Sequence, residues 1–463
     1  MKILQLALFV TFSCVLNVCA QNSEKPNIIF ILADDLGYGD LGCYGQKIIQ
    51  TPNLDRMASE GLKFTRHYAG STVCGPSRSC LLTGRHTGHT YLRGNGSLQV
   101  RRDPQDIVLP RMLKDAGYKT AMIGKSGLAC NSQDAKLPND KGFDYFFGYT
   151  SHTDAHFYFP PYLYKNGEKI DYPNNTKHEG DNYSSEIVMN DALKYIEDNK
   201  EGPFFLHLAL QIPHASLIAK EKYKAMYRDK VEEPKTNKPK KVHYTYEPEP
   251  KATFAGMVTY MDENIGLIMS KLKSLGIDKN TLVIFSSDNG AMSEGGHSRT
   301  NFNSSGILRG GKRDLYEGGI RVPTIAWWPG TVKAGRVTDH ISAFWDFAPT
   351  ALELAGLPKR SDMDGISYLN ELLGKDQKKH EYLYWEFHEQ GGKQGVLWNE
   401  YKGVRLNTKK KADQPIELYS LKDDPSEENN IADKYPDIVA KMKKIMSEAR
   451  VPSEIFKLPE DGK

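Results

Sequence analysis

The sequence predicts an α/β fold: a large, mostly parallel mixed sheet flanked by helices, then a smaller C-terminal α+β subdomain containing an antiparallel sheet. Three observations carry that reading. The runs NIIFILA, TAMIG, FFLHLAL and TLVIFSS are short and continuously apolar, as strands covered on both faces are. Helical patterns separate them, the longest at residues 252–276 with apolar residues at helical spacing. After about residue 375 the pattern changes to EYLYWEF, KQGVLWN, YKGVRLN and PIELYSL, short strands parted by turns.

The first twenty residues stand apart. Lys2 precedes the apolar run ILQLALFVTF, and small residues lead to Ala20. This reads as a secretory signal over residues 1–20, too short to span a bilayer, and implies export to a periplasm or to the outside. A first unit is expected over residues 21–375 and a second over 376–463. The strand at 28–33 ends in Asp34 and Asp35. Residues 52–61 read as a helix closed by Gly61, and 62–69 as a strand. VLPRMLKDAG is an amphipathic helix with Gly117 past its end, and YKTAMIGK a buried strand ending at Lys125. GPFFLHLALQIPH reads as a strand running to His214, and TLVIFSSDNG as one ending at Asp288 and Asn289. In such sheets the ligand site lies beyond the carboxyl ends of the strands, where all these polar residues fall. Residues 215–251, rich in Lys, Glu and Pro, read as a solvated surface excursion. A last helix is expected over 434–449.

Composition excludes some partners. The 463 residues carry 61 basic and 58 acidic side chains, a net charge of +3, which gives no reason to expect nucleic acid or a membrane surface. No later stretch is long and apolar enough for a transmembrane segment. Beyond the signal, Cys43, Cys74, Cys80 and Cys130 allow up to two disulfides but are too widely spaced for a disulfide scaffold.

Three carboxylates and one amide, Asp34, Asp35, Asp288 and Asn289, supply hard oxygen ligands suited to Ca²⁺ or Mg²⁺. The stretch GYGDLG, residues 37–42, matches a dinucleotide fingerprint, but two carboxylates beside it oppose a pyrophosphate and no helix clearly opens there. In TVCGPSRSCLLTGR, Pro76 suits the first turn of a helix that Gly84 can end. Cys74 is then expected just before the helix N-terminus, with Arg78 one turn on, in a positive setting that lowers a thiol pKa and holds anions. Cys80 falls on the apolar side, so a Cys74–Cys80 bridge is not expected. A nucleophile in an anion pocket beside a hard cation points to transfer or hydrolysis at a phosphate or sulfate ester.

CGPSRSCLLTGR resembles the signature of the type I sulfatase family. PNIIFILADDLGYGDLGCYG, SSDNG, LRGGKRDLYEGGIRVPTIAWWPG and PIELYSLKDDPSEENNIA are similar to further stretches of that family. The resemblance implies formylglycine made from Cys74 by a maturation enzyme. It also implies Ca²⁺ held by Asp34, Asp35, Asp288, Asn289 and the converted Cys74. Arg78 would hold the hydrated aldehyde, Lys125 and Lys312 would bind sulfate oxygens, and His214 would protonate the departing alcohol. Many members carry a histidine where this chain has Gly127 in GKSGLA; His152 or His156 is expected to fill that space, with His156 assigned to the substrate. The implied substrate is a sulfated saccharide, a galactose or N-acetylgalactosamine sulfate. Aromatic residues of AHFYFPPYLY and LYWEFHEQ are read as sugar platforms or as core. The rivals are a phosphoester or phosphonate hydrolase on the same fold and a non-catalytic sulfated-glycan-binding protein.

Overall fold

The computed structural model describes residues 25–461 apart from 97–98, 102, 104, 129–133, 135, 235–242, 412 and 460. The signal read at residues 1–20 and Cys130 therefore lie outside the described residues. Among those described, Cys43, Cys74 and Cys80 are free thiols, and no helix is long and apolar enough to cross a membrane.

A ten-stranded sheet forms the centre. Its middle is parallel. Asn27–Ala33 lies between Thr281–Ser287 and Phe204–Ala209, and Lys119–Lys125 pairs with Phe204–Ala209 and Tyr145–Tyr149. Every residue of Asn27–Ala33, Phe204–Ala209 and Thr281–Ser287 is buried, which is why these strands lack polar alternation. Antiparallel strands finish both sides: Thr324–Trp327 with Leu62–Phe64, and the hairpin Tyr162–Lys165 and Glu168–Asp171.

Helices cover both faces. Pro52–Glu60, Ser184–Asp198 and Pro250–Ser274 bury Leu54, Met57, Val188 and Ile265 in one core. Cys74–Thr83, Leu109–Asp115 and Phe347–Leu354 bury Leu81, Leu82, Leu109 and Phe347 in the other. Two boundaries differ from expectation. The stretch 62–69 splits, because Leu62–Phe64 joins the main sheet while His67–Tyr68 pairs with Ser342–Ala343 in a separate ladder. The strand expected to reach His214 stops at Ala209; Leu210 still donates to Leu32 O, but Pro213 has no N–H to continue a ladder.

The four late strands, Tyr382–Phe387, Lys393–Trp398, Tyr401–Leu406 and Ile416–Ser420, form the expected antiparallel sheet in sequential order. Helix Pro436–Glu448 covers one face through Met442, Ile445 and Met446. On the other, Trp385, Phe387 and Leu397 pack on Tyr68, Leu315 and Trp345, and Trp385 Nε1 donates to Ala69 O at 2.9 Å. The aromatics Trp385 and Phe387 of LYWEFHEQ are thus core, as is Tyr158 of AHFYFPPYLY, whose hydroxyl donates to the carbonyls of Gln211 and His214. Polar pairs also cross this junction. Lys402 donates to Glu317 at 2.9 Å and Arg93 to Glu386 at 2.8 Å, all four side chains being buried.

Candidate functional site at the carboxyl ends of the strands

The parallel ladder sets the two acid pairs side by side. Asp288 N donates to Ala33 O, so the chain leaving Thr281–Ser287 stays beside the chain leaving Asn27–Ala33. Asp35 takes a left-handed backbone (φ 68°), and its N–H donates to Asp288 Oδ1 at 3.1 Å. Asn289 Nδ2 in turn donates to Asp35 Oδ1 at 2.7 Å. Ligand atoms of Asp34, Asp35, Cys74 and His214 all lie within 4.8 Å of one another.

Three cations answer these acids. Lys125, the last residue of its strand, donates to Asp34 Oδ2 at 2.6 Å. Lys312 donates to Asp35 Oδ2 at 2.8 Å and to Glu294 Oε2 at 3.0 Å. Arg78 is fully buried, and its Nε donates to Asp288 Oδ2 at 2.9 Å and its Nη1 to Lys125 O at 3.1 Å. Burial works to raise the Asp34 carboxyl, but the charges of Lys125, His214 and Arg78 hold it well below its usual range. Asp288 is pushed up to about 7 by burial and by the Asp34 charge, against the pull of Arg78. Asp288 thus has both oxygens in protein hydrogen bonds, whereas Asp34 Oδ1 and Asn289 Oδ1 are buried and accept none. These unsatisfied hard oxygens, next to Asp35, fit a divalent cation.

Cys74 opens helix Cys74–Thr83 rather than preceding it, and Gly84 ends that helix in a left-handed conformation. The expected lowering of its thiol pKa does not occur. The side chain is 3% exposed, and burial pushes the thiol up to about 12; Asp34 and Asp288 add to this, against Lys125 and Lys312. At neutral pH the Cys74 side chain is therefore a thiol, not a thiolate.

His214 presents Nδ1 to the carbonyl of Ala215, which assigns the proton to Nδ1. Nε2 then faces Lys312 Nζ at 3.3 Å and Asp35 Oδ2 at 3.4 Å. Burial and the Lys312 charge lower its pKa, against Asp35 and Asp34, so the ring is neutral at pH 7. His156 stacks on it, centroids 4.5 Å apart and planes at 10°. His152 is buried, its Nε2 accepts no hydrogen bond, and burial with the charges of Lys125 and Arg78 holds its pKa well below the usual value.

Gly127 has a structural cause. Its φ is +67°, and a Cβ there would come within 2.4 Å of Arg78 Cδ. The Arg78 side chain occupies the room a residue at 127 would need. Gly127→His is therefore expected to lower stability by about 1–3 kcal/mol and to reduce turnover rather than improve it. Urea titration and steady-state assays check this; a stable, faster variant would contradict it.

Sequence reasoning missed Glu294, His243 and Tyr244. Glu294 sits five residues past Asn289, a position that the strand-end argument covers. Burial raises its pKa, but Lys312, His214 and Arg313 bring it down to about 2. His243 and Tyr244 come from the excursion expected to be solvated. That segment instead returns to the site: Thr245 N donates to Ser216 Oγ at 2.9 Å, and Tyr244 OH to Glu294 Oε2 at 3.0 Å. In GYGDLG, Gly39 N donates to Ser304 O at 2.7 Å, and only a three-residue 3₁₀ turn begins at Gly42.

Known proteins share this arrangement. The sulfatase family profile matches residues 26–357, and the profile of the N-sulphoglucosamine sulphohydrolase C-terminal region matches residues 310–452. The chain is 34% identical over 388 residues to N-acetylgalactosamine-6-sulfatase of Rattus norvegicus, covering 76% of this chain and 66% of that one, so it spans just under two thirds of that relative's length. It is 30% identical over 514 aligned positions to N-acetylgalactosamine-6-O-sulfatase of Bacteroides thetaiotaomicron, covering 93% of this chain and 94% of that one. Among solved structures, Ps i-CgsB in complex with k-i-k-neocarrahexaose superposes with a TM-score of 0.77 at 28% identity, covering 94% of each chain. With its profile, its relatives and its strand-end site in agreement, this chain belongs to the sulfatase family.

Proposed function

We propose that the protein is a sulfuric ester hydrolase that removes sulfate from a sulfated carbohydrate, a galactose or N-acetylgalactosamine sulfate in particular. The observation that carries this is the meeting of Cys74, at the head of a C-x-P-S-R helix, with Asp34, Asp35 and His214 between Lys125 and Lys312. The sugar assignment is supported by relatives named as N-acetylgalactosamine sulfatases and by a neighbour solved with an oligosaccharide. The family implies two groups at this site, a Ca²⁺ ion and formylglycine. Asp34, Asp35, Asp288 and Asn289 would hold the ion, together with the converted side chain at 74. When present, the two groups supply an activated hydroxyl at position 74 for attack on sulfur.

The residues of the chain do the rest. Lys125 and Lys312 bind and neutralise sulfate oxygens, most strongly as charge builds on them. Arg78 fixes Asp288 and, through the carbonyl of Lys125, the strand end on which Lys125 sits. Water adds to sulfur, the S–O bond to the sugar breaks, and the leaving oxygen needs a proton. The resting His214 carries its proton on Nδ1, so the proton nearest the Nε2 side is on Lys312; we assign proton delivery to the Lys312–His214 pair. His156, stacked on His214, lies on the sugar side. The reading includes export directed by residues 1–20 and modification by a separate maturation enzyme.

The test is mass spectrometry of the Cys74 peptide from protein made in its native source, paired with sulfate release from sulfated galactose and N-acetylgalactosamine. An aldehyde or its hydrate at position 74, with sulfate release, is expected. An unmodified thiol and no release would overturn the proposal. A thermal melt adds a second readout: Ca²⁺ at about 100 times its dissociation constant should stabilise the fold by about 2.7 kcal/mol over chelator-treated protein.

A further inference from the structure

A row of rings leads outward from His214. His156 stacks on it, and His156 Nδ1 meets His243 Nε2 at 2.8 Å. Phe157 lies next, its ring centroid 6.0 Å from that of His243 and 5.5 Å from that of His178. Lys177 sits over Phe157, with Nζ 5.2 Å from the ring centre. His243, Lys177 and His178 are exposed, while Phe157 is buried beneath them. The row is held from both ends. His178 Nδ1 meets Thr245 Oγ1 at 2.7 Å, and Lys177, in a left-handed backbone with φ 78°, donates its N–H to Phe159 O at 2.8 Å. Two separate chain segments, 156–178 and 243–245, thus converge to build one surface running out from the catalytic cluster.

We infer that this surface is a track for the sugars adjoining the one that loses sulfate, and that the protein acts on sulfated chains in preference to single sugars. Its chemistry matches that ligand. Ring faces cover the apolar faces of sugar rings, imidazole nitrogens exchange hydrogen bonds with hydroxyls, and the Lys177 ammonium pairs with a second sulfate or a carboxylate further along the chain. The mouth residue His243 joins the track to His156 and so to the leaving-group side of the pocket. The inference rests on the sulfatase reading for the identity of the inner sugar, but its own content is the length dependence of binding.

The experiment uses full-length protein carrying Cys74→Ala, so that ligands bind without turnover. Titration calorimetry compares a sulfated monosaccharide with a tetrasaccharide of the same series, for chondroitin-type and carrageenan-type sugars. In at least one series the tetrasaccharide should bind tenfold or more tightly than the monosaccharide. Adding Lys177→Ala and His178→Ala should shrink that gap to threefold or less, with the thermal midpoint unchanged because both side chains are exposed. No gap in either series, or a gap that survives both substitutions, would overturn the track. Failure of the sulfatase reading appears separately, as absence of sulfate release from any of these sugars by protein retaining Cys74.

Discussion

Cys74→Ala is expected to remove sulfate release by a factor on the order of 10⁴ or more while leaving the fold intact. The site holds no second nucleophile in an equivalent place. The other atoms gathered with Cys74 belong to Asp34, Asp35 and His214; the two acids are hydrogen-bonded to cations and the ring faces Lys312. What survives the substitution is binding and charge neutralisation by Lys125 and Lys312. Stability should change little, because replacing one buried sulfur by hydrogen leaves a small cavity costing about 1 kcal/mol. Ion chromatography of released sulfate, alongside a urea titration, measures both. Activity within tenfold of the parent would mean that chemistry runs without the side chain at position 74.

Lys402→Met should lower the free energy of unfolding by about 3–5 kcal/mol. Lys402 lies on Tyr401–Leu406 in the late sheet and its partner Glu317 on the loop leading away from Lys312; both side chains are fully buried, with Nζ 2.9 Å from Oε1. Tyr68 OH also donates to Glu317 Oε2 at 2.8 Å, so losing the lysine leaves a buried carboxylate with too few partners. The companion variant Lys402→Met/Glu317→Gln removes the stranded charge and should recover at least half of the loss. Urea midpoints of the single and double variants make the comparison. A single variant within 1 kcal/mol of the parent would show that the pair does not couple the late sheet to the main one.

The parallel centre and its acid-tipped strands were legible because both faces are covered: such strands can only be apolar along their length, and polar residues mark where they stop. That logic placed Asp34, Asp35, Lys125, Asp288 and Asn289 at the correct strand ends. It failed on His214, since apolar LALQI continues past Ala209 although the ladder does not. It also failed on His243 and Tyr244. Their segment is highly charged, and charge density says nothing about two residues that return to a distant pocket. The thiol of Cys74 was misjudged for a related reason: the helix terminus is visible in CGPSR, whereas burial comes from elements far apart in sequence. Gly127 looked like a lost group until the path of Arg78 explained it.

The seclusion of Cys74 also sets a timetable. In the finished fold its side chain is almost wholly closed off, beneath a roof that includes residues far downstream. An enzyme large enough to oxidise a cysteine cannot reach it there. On the formylglycine reading, modification and folding are competing events for each newly made chain, and whichever comes first is final. A chain that folds early becomes a well-packed, metal-competent and permanently inactive copy. Specific activity in a preparation then reports the ratio of two rates during synthesis and export, and chains unfolded and refolded after purification should keep whatever fraction they began with.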